Sequence, residues 1–163
     1  MEKPVGSEAS AIEAKAAVLR QFRIVFGAVR SHFKQIEKLV GLGGAQVWAL
    51  SVVQKHPGLS LGELARRLDV HQSTASNLVK GLANKGLVQM EKDTLDKRQL
   101  HLHVTEQALR LLAQVPGPVE GLLPHALARL PESSLNKLHG ELSVLIDVLK
   151  ADESAASIPL AEL

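Results

Sequence analysis

The residues best suited to chemistry lie in one short stretch, Gln72 to Gly86, with the sequence QSTASNLVKGLANKG. Its apolar residues recur at three- and four-residue spacing, which predicts a helix with one buried face: Ala75, Leu78, Val79 and Leu82. The opposite face carries short hydrogen-bonding side chains and one cation: Gln72, Ser73, Ser76, Asn77 and Lys80. From a helix, such groups can reach base edges and phosphates in the major groove of DNA. The stretch is therefore a candidate recognition helix.

A second short helix, Leu61 to Leu68, is predicted immediately before it and would hold it in place. Ser60 and Glu63 have the spacing of a capping box, which starts a helix by pairing its first amides with side-chain oxygens. Asp69 to His71 then forms a connection of the length that joins a helix-turn-helix pair. Val70 is expected to fill the angle between the two helices.

A β-hairpin is predicted after Gly86, where the recognition helix should end. Leu87 to Lys92 and Gln99 to Val104 have strand-like patterns, and a polar turn, Asp93 to Arg98, separates them. In the second strand, alternation points the apolar residues inward and the histidines His101 and His103 outward. A hairpin in this position makes the unit a winged helix-turn-helix.

These segments resemble the MarR family of bacterial and archaeal transcriptional regulators. The resemblance rests on LSLGELARRLDVHQSTASNLVKGLANKGLV and on the wing DTLDKRQLHLHVTEQALRLL. The family's wing pattern, Asp-x-Arg-Asp-x-Arg, falls on Asp93 to Arg98, which implies that Arg98 reaches the minor groove while Asp96 holds the wing in shape. Two positions depart from the family: Leu95 replaces an expected cation, and His71 stands where Ser or Asp is the better helix cap.

The resemblance implies a sequence-specific DNA-binding transcriptional regulator, more commonly a repressor, that binds a pseudo-palindromic site in double-stranded DNA as a homodimer. Two recognition helices would read half-sites about one turn, roughly 34 Å, apart. The side chains predicted to bind DNA are Gln72, Ser73, Thr74, Ser76, Asn77, Lys80, Lys85, Lys92, Asp96, Lys97 and Arg98.

The resemblance also implies release from DNA by a small aromatic or phenolic effector, bound between the dimer base and the DNA-binding lobe. The aromatic residues that could contact such an effector are few: Phe22, Phe26, Phe33 and Trp48. Packing in the core is the competing interpretation for all four, because buried aromatic side chains mostly serve cores.

Composition indicates one folded domain and restricts its partners. The chain has 163 residues, of which 45% are hydrophobic, enough for one sizeable core. Residues 1–104 carry 15 Lys and Arg against 9 Asp and Glu, whereas residues 105–163 carry 4 against 8. The cations thus surround the candidate recognition helix, as a polyanion binder requires. The absence of cysteine excludes a thiol switch, and without a signal peptide or a membrane-length apolar run we expect a cytoplasmic protein.

The predicted fold is mainly α with a small β-wing, in a single domain over residues 1–163. A DNA-binding lobe covers residues 44–104, and a helical dimerisation base is formed by the N- and C-terminal helices, residues 9–40 and 105–150. The first helix, from about Ser10 to Val40, would be roughly 45 Å long, more than so small a domain needs internally. The last helix carries a leucine seam typical of helix–helix contacts: Leu135, Leu138, Leu142, Leu145 and Leu149. Packing within one chain is the alternative for either helix.

The remaining boundaries follow from glycine and proline. A helix from Ala45 to Lys55 should end at His56-Pro57-Gly58, and another, from Glu106 to Val115, should bury its leucines: Leu109, Leu111 and Leu112. Pro116-Gly117-Pro118 should interrupt the next stretch, which resumes as a helix from Val119 to Leu130. For the tail, residues 151–163, the sequence leaves two possibilities: disorder, or docking of its apolar residues on a partner.

Other function classes are weaker on the sequence. His101 and His103 point the same way, but zinc needs further ligands at a recognisable spacing, so exposed strand histidines are favoured over a metal-responsive regulator. We expect no metal site and no cofactor. No phosphate loop or nucleophile elbow supports an enzyme. A winged helix used for architectural DNA binding or for protein contacts stays open, since fold alone does not decide function.

Overall fold

The computed structural model describes residues 5–96 and 99–163, with side chains from Ser10 onward. Its longest element is helix α1, Val5–Val40, which begins before the apolar periodicity does, so the predicted start near Ser10 is too late. Much of α1 lies outside the core of the chain, since Ile12, Ile24 and Phe26 are 69%, 71% and 64% exposed. Near its end, Ile36 and Val40 are buried in the core.

Three helices form the framework of the DNA-binding lobe. They are α2, Gly44–Lys55, α3, Leu61–Leu68, and α4, Gln72–Asn84. Each contributes fully or almost fully buried side chains to one core: Val47, Leu50, Val53, Leu64, Leu68, Leu78, Val79 and Leu82. The apolar stripe predicted for α4 is therefore the surface by which this helix packs on α2 and α3.

The capping box predicted at the start of α3 is present. The Glu63 amide donates to Ser60 Oγ at 3.3 Å, and the Ser60 amide donates to a Glu63 carboxylate oxygen at 2.7 Å. These hydrogen bonds hold the pKa of Glu63 below its ordinary value, the backbone donor at Ser60 being the larger cause. Helix α3 ends at Leu68 and is capped by Asp69, whose φ of 53° lies in the left-handed region. Val70, in the connection to α4, packs against the core.

A small antiparallel sheet completes the lobe. Strand β1 is Leu59–Ser60, β2 is Val88–Lys92 and β3 is Leu100–Val104, in the order β1-β3-β2. Leu102, in the middle of β3, lies opposite both Leu59 and Met90. The hairpin matches the predicted wing, whereas β1 is absent from the prediction because two residues give no periodicity.

The segment after the wing is helical in pieces. Helix α5, Glu106–Leu112, starts at the Thr105 hydroxyl, which accepts from the Ala108 amide at 3.2 Å, and it ends three residues earlier than predicted. Ala108 is its buried residue, and Leu109, predicted to be buried, is exposed. Helix α6 covers only Leu122–Leu127, so the two prolines displace more helix than expected.

Helix α7, Glu132–Leu149, carries the leucine seam and has no buried residue within this chain. The tail that follows contains two short 3₁₀ helices, Glu153–Ser157 and Leu160–Glu162. The tail docks on its own chain, which is neither of the two possibilities left open by the sequence: Pro159 is buried and Ala161 packs against the core. Within the described part of the chain, no single helix has the length and apolarity needed to cross a bilayer.

Candidate nucleic-acid interface

The exposed face of α4 presents the side chains that the sequence assigns to DNA. Gln72, Ser73, Asn77 and Lys80 are exposed, whereas Thr74 and Ser76 are half-buried beside the helix axis. Burial of the opposite face fixes the rotation of α4, so these groups project on one side. The arrangement offers amides and hydroxyls for base edges and an ammonium for phosphate.

Two arginines of α3 extend this surface at the start of α4. Arg66 and Arg67 are exposed, and Arg66 lines an open depression together with Asp69, His71 and Gln72. His71 precedes the first turn of α4 without making a side-chain cap, which leaves the first amides of that helix open to an anion. The set of DNA-binding residues predicted from the sequence omits both arginines. Their position, as two adjacent cations just before the turn, could have indicated a role in phosphate binding.

Lys85 and Lys92 are placed differently from the rest of the predicted set. Lys92 lies exposed at the wing end of β2. Lys85 follows the last turn of α4, where its Nζ donates to the Gly41 carbonyl at 3.3 Å and to Gln46 Oε1 at 3.4 Å. Its charge is therefore directed toward the turn between α1 and α2 and away from the start of α4.

The wing turn is organised by Asp93. Its Oδ1 accepts from the amides of Leu95 at 2.7 Å and Asp96 at 2.9 Å, and its Oδ2 accepts from His101 Nε2 at 2.8 Å. Leu95, where the family has a cation, is 97% exposed, and Asp96 is exposed beside it. Lys97 and Arg98, both predicted to bind DNA, lie outside the described residues.

His101 ties this turn to the body of the lobe. Its Nδ1 donates to the Gly58 carbonyl at 2.8 Å while its Nε2 donates to Asp93. Because neither acceptor carries a proton to give, both contacts are hydrogen bonds only when both ring nitrogens are protonated, so this geometry favours the imidazolium form. The Asp93 hydrogen bond, followed by the Gly58 carbonyl, raises the pKa of His101, and the His101 hydrogen bond, followed by the turn amides, lowers the pKa of Asp93 to about 2.

The sequence predicted that both strand histidines are exposed, but in the structure both are half-buried and have polar partners. The His101 side chain is half-buried between two acceptors, and His103 Nε2 lies 3.8 Å from a Glu91 carboxylate oxygen. Among the described residues, no three His, Cys, Asp or Glu side chains are grouped to hold a metal ion. What the pattern missed is a structural role for Asp93 and His101, which depends on Gly58 and could not be read from the hairpin alone.

A crevice between α1, the start of α2 and the tail is lined by part of the predicted aromatic set. Phe26 and Phe33 line a cavity of about 490 Å³ with Val29, Leu123 and the tail, and the charged residues Arg30, Lys34 and Glu37 also line it. Trp48 shares a smaller cavity, about 40 Å³, with Phe33. Phe22 stacks on Phe26 at 5.8 Å between ring centroids but lines neither cavity.

Comparisons with known proteins find relatives that match the DNA-binding lobe or most of the chain. A family model described as MarR family matches residues 40–99. A Thauera aromatica protein, whose name describes a transcriptional regulatory protein for the hcr operon, is 30% identical over 118 residues, which cover 72% of this chain and 71% of that protein. The HTH-type transcriptional repressor MdtR of Bacillus subtilis is 21% identical over 144 residues, covering 88% of this chain and 93% of MdtR. Among solved structures, a complex of S. aureus MepR with DNA is similar in fold, with 19% identity and a TM-score of 0.56; the match covers 80% of this chain and 96% of that chain.

Proposed function

Because the chain belongs to the MarR family of transcriptional regulators, we propose that two copies of it bind one pseudo-palindromic site in double-stranded DNA and repress transcription there. Each copy lays the exposed face of α4 in a major groove, with the wing over the adjacent minor groove. The observation that carries this proposal is the polar face of α4, held in a fixed rotation by the core and extended by exposed cations.

The side chains on this face divide into those that recognise bases and those that bind phosphates. Gln72 and Asn77 have amides that can pair with adenine edges, so we assign them to bases. The hydroxyls of α4 together with Lys80, Lys92 and Arg66 are assigned to phosphates, which supply most of the affinity and none of the direct sequence information. Lys97 and Arg98 keep the minor-groove role that the resemblance implies.

A homodimer would explain the apolar faces that one chain leaves exposed. In α1 these include Ile12, Ile24 and Phe26, and the following residues of α7 are also exposed: Leu138, Leu142, Val144, Leu145, Ile146, Val148 and Leu149. Exposed apolar residues in this number on two terminal helices are typical of an interaction site. A second copy supplies matching faces through two-fold symmetry.

We assign effector binding to the crevice lined by Phe26, Phe33 and Leu123. Its apolar walls suit a small aromatic or phenolic acid, and the cations Arg30 and Lys34 outnumber the one acidic side chain in its lining, Glu37. Such a ligand releases the repressor if it prefers a separation of the two α4 helices that does not match the half-sites. A regulator of this kind binds DNA in the cytoplasm and needs neither catalysis nor a cofactor.

Selection of bound fragments from a random DNA pool, followed by footprinting of the winner, tests this function. We expect protection of a short two-fold-symmetric site with half-sites about 34 Å apart. Uniform coating of DNA without sequence preference would instead favour an architectural protein. Sedimentation of the free protein measures the dimer independently of DNA.

A further inference from the structure

Leu95 lies at the tip of the wing with its side chain in water. It is 97% exposed, the largest value among the large apolar residues that the structure describes. The exposed leucines of α7 lie on a helix assigned to the homodimer, whereas Leu95 belongs to the DNA-binding lobe. A leucine side chain gains free energy when it leaves water, so a binding surface that covers it gains affinity.

The backbone that carries this side chain is fixed by hydrogen bonds. Asp93 Oδ1 accepts from the amides of Leu95 at 2.7 Å and Asp96 at 2.9 Å. Across the turn, the Asp93 amide donates to the Gln99 carbonyl at 3.0 Å, and the Gln99 amide donates to the Asp96 carbonyl at 2.9 Å. His101 Nε2 lies 2.8 Å from Asp93 Oδ2 and ties the turn to the lobe. Leu95 is therefore held in place before DNA binds, which lowers the ordering cost of a contact.

The minor groove of DNA offers a surface that suits one apolar side chain. The walls of this groove are sugar carbons, and at A·T pairs its floor carries no donor group. A G·C pair adds the guanine amino group, which protrudes from the floor and would lose its water to a leucine without gaining an acceptor. Proteins that bind the minor groove frequently insert leucine and other apolar side chains into it.

We propose that Leu95 enters the minor groove and selects base pairs that lack the guanine amino group. The inference deepens the proposed function and rests on it, because that function lays the wing over the minor groove. A leucine differs from a cation at the same place in one measurable respect. It releases no counterions from DNA, so its share of the affinity does not depend on salt, whereas an arginine adds to the salt dependence.

Two synthetic duplexes isolate the amino group: alternating inosine and cytosine, and alternating guanine and cytosine. They present the same hydrogen-bonding groups in the major groove, but inosine has no amino group in the minor groove. We expect wild type to bind the inosine duplex more tightly. Leu95→Ala should reduce this preference about threefold for each subunit, hence about tenfold for a dimer, because alanine leaves most of the apolar contact unmade.

Two further variants control for the hairpin and for the shape of the side chain. Met90→Ala is the matched control, because Met90 is an exposed apolar residue of β2 in the same hairpin, and it should keep the wild-type preference for inosine. Leu95→Met retains an apolar side chain at the tip of the wing and should keep most of that preference.

Salt titrations on the inosine duplex separate an apolar contact from an electrostatic one. Leu95→Ala should bind less tightly than wild type but keep the wild-type slope of log K against log salt. Leu95→Arg should steepen that slope by about 1.8, because each of two subunits adds one cation next to the phosphates.

Three results would overturn the proposal. These are equal binding of the two duplexes by wild type, an unchanged inosine preference in Leu95→Ala, and an equal loss of preference in Met90→Ala. A shallower salt slope in Leu95→Ala would overturn it too, because the leucine would then act by positioning a cation. Neither duplex contains a selected site, so the two proposals fail separately. If DNA selection yields no site while Leu95→Ala loses the inosine preference, the proposed regulator is refuted and the minor-groove contact stands.

Discussion

Two lysines of the same helix region, Lys80 and Lys85, should differ sharply in their contribution to DNA binding. Lys80 is exposed on the face of α4 assigned to DNA, whereas Lys85 is directed toward Gly41 and Gln46. Replacing Lys80 with alanine removes one phosphate contact from each subunit, hence two from a dimer. Each contact contributes about 0.9 to the slope of log K against log salt, so the slope should become shallower by about 1.8.

This change in slope is large enough to measure. Raising the salt concentration fourfold, from about 50 to about 200 mM, should shrink the affinity deficit of Lys80→Ala about 12-fold relative to wild type. Fluorescence anisotropy of a labelled selected site at several salt concentrations gives the slope directly. Lys85→Ala is the matched control and should keep the wild-type slope, because its ammonium is held elsewhere.

Either of two results would refute this reasoning. A wild-type slope for Lys80→Ala would mean that this face of α4 does not approach phosphates. Equal losses of slope for the two variants would mean that Lys85 leaves its partners and that the bound orientation of α4 differs from the one proposed. Circular dichroism of both variants checks that α4 is intact.

Three further predictions address the other parts of the interface. Asn77→Ala should cost about 1 to 3 kcal/mol on the selected site and relax preference at one base position; unchanged preference on base-substituted sites would reject its role. His101→Gln should remove a pH dependence of DNA binding that His103→Gln preserves. Because the pKa of His101 is raised, its contact with Asp93 is complete at low pH and is lost as the pH rises through that pKa. DNA titrations at several pH values measure this, and identical profiles for wild type and His101→Gln would contradict it. Leu142→Glu combined with Leu145→Glu should dissociate the dimer, because each dimer interface would then bury unpaired carboxylates; sedimentation of a stable dimer would show that α7 is not in the interface.

The parts of the fold that depend on residues close together in the sequence could be predicted from it. The stripe through Leu78 and Leu82, the Ser60–Glu63 capping box and the hairpin all depend on periods of two to four residues. Such patterns state which face is buried before any partner is known. The family resemblance added the homodimer, the pseudo-palindromic site and the effector to this local picture.

The features that escaped prediction depend on distant parts of the chain. Lys85 is directed by Gly41, 44 residues away, and His101 is bonded to Gly58, 43 residues away. The docking of Ala161 beside Gly44 joins the tail to the start of α2. Local periodicity carries no information about such contacts. The alternation of β3 therefore predicted that His101 points outward but could not indicate the hydrogen-bond acceptors around it.

The proline break after α5 has a mechanical consequence. A continuous helix between the DNA-binding lobe and the dimer base would act as a stiff lever, but helix α5 ends at Leu112 and α6 begins at Leu122. The joint between them is held to α1 by His32, whose Nε2 donates to the Pro118 carbonyl at 3.0 Å. Val115 and Val119 of this segment also pack against the core, so the connection toward the proposed dimer base is anchored on the lobe and does not act as a rigid lever.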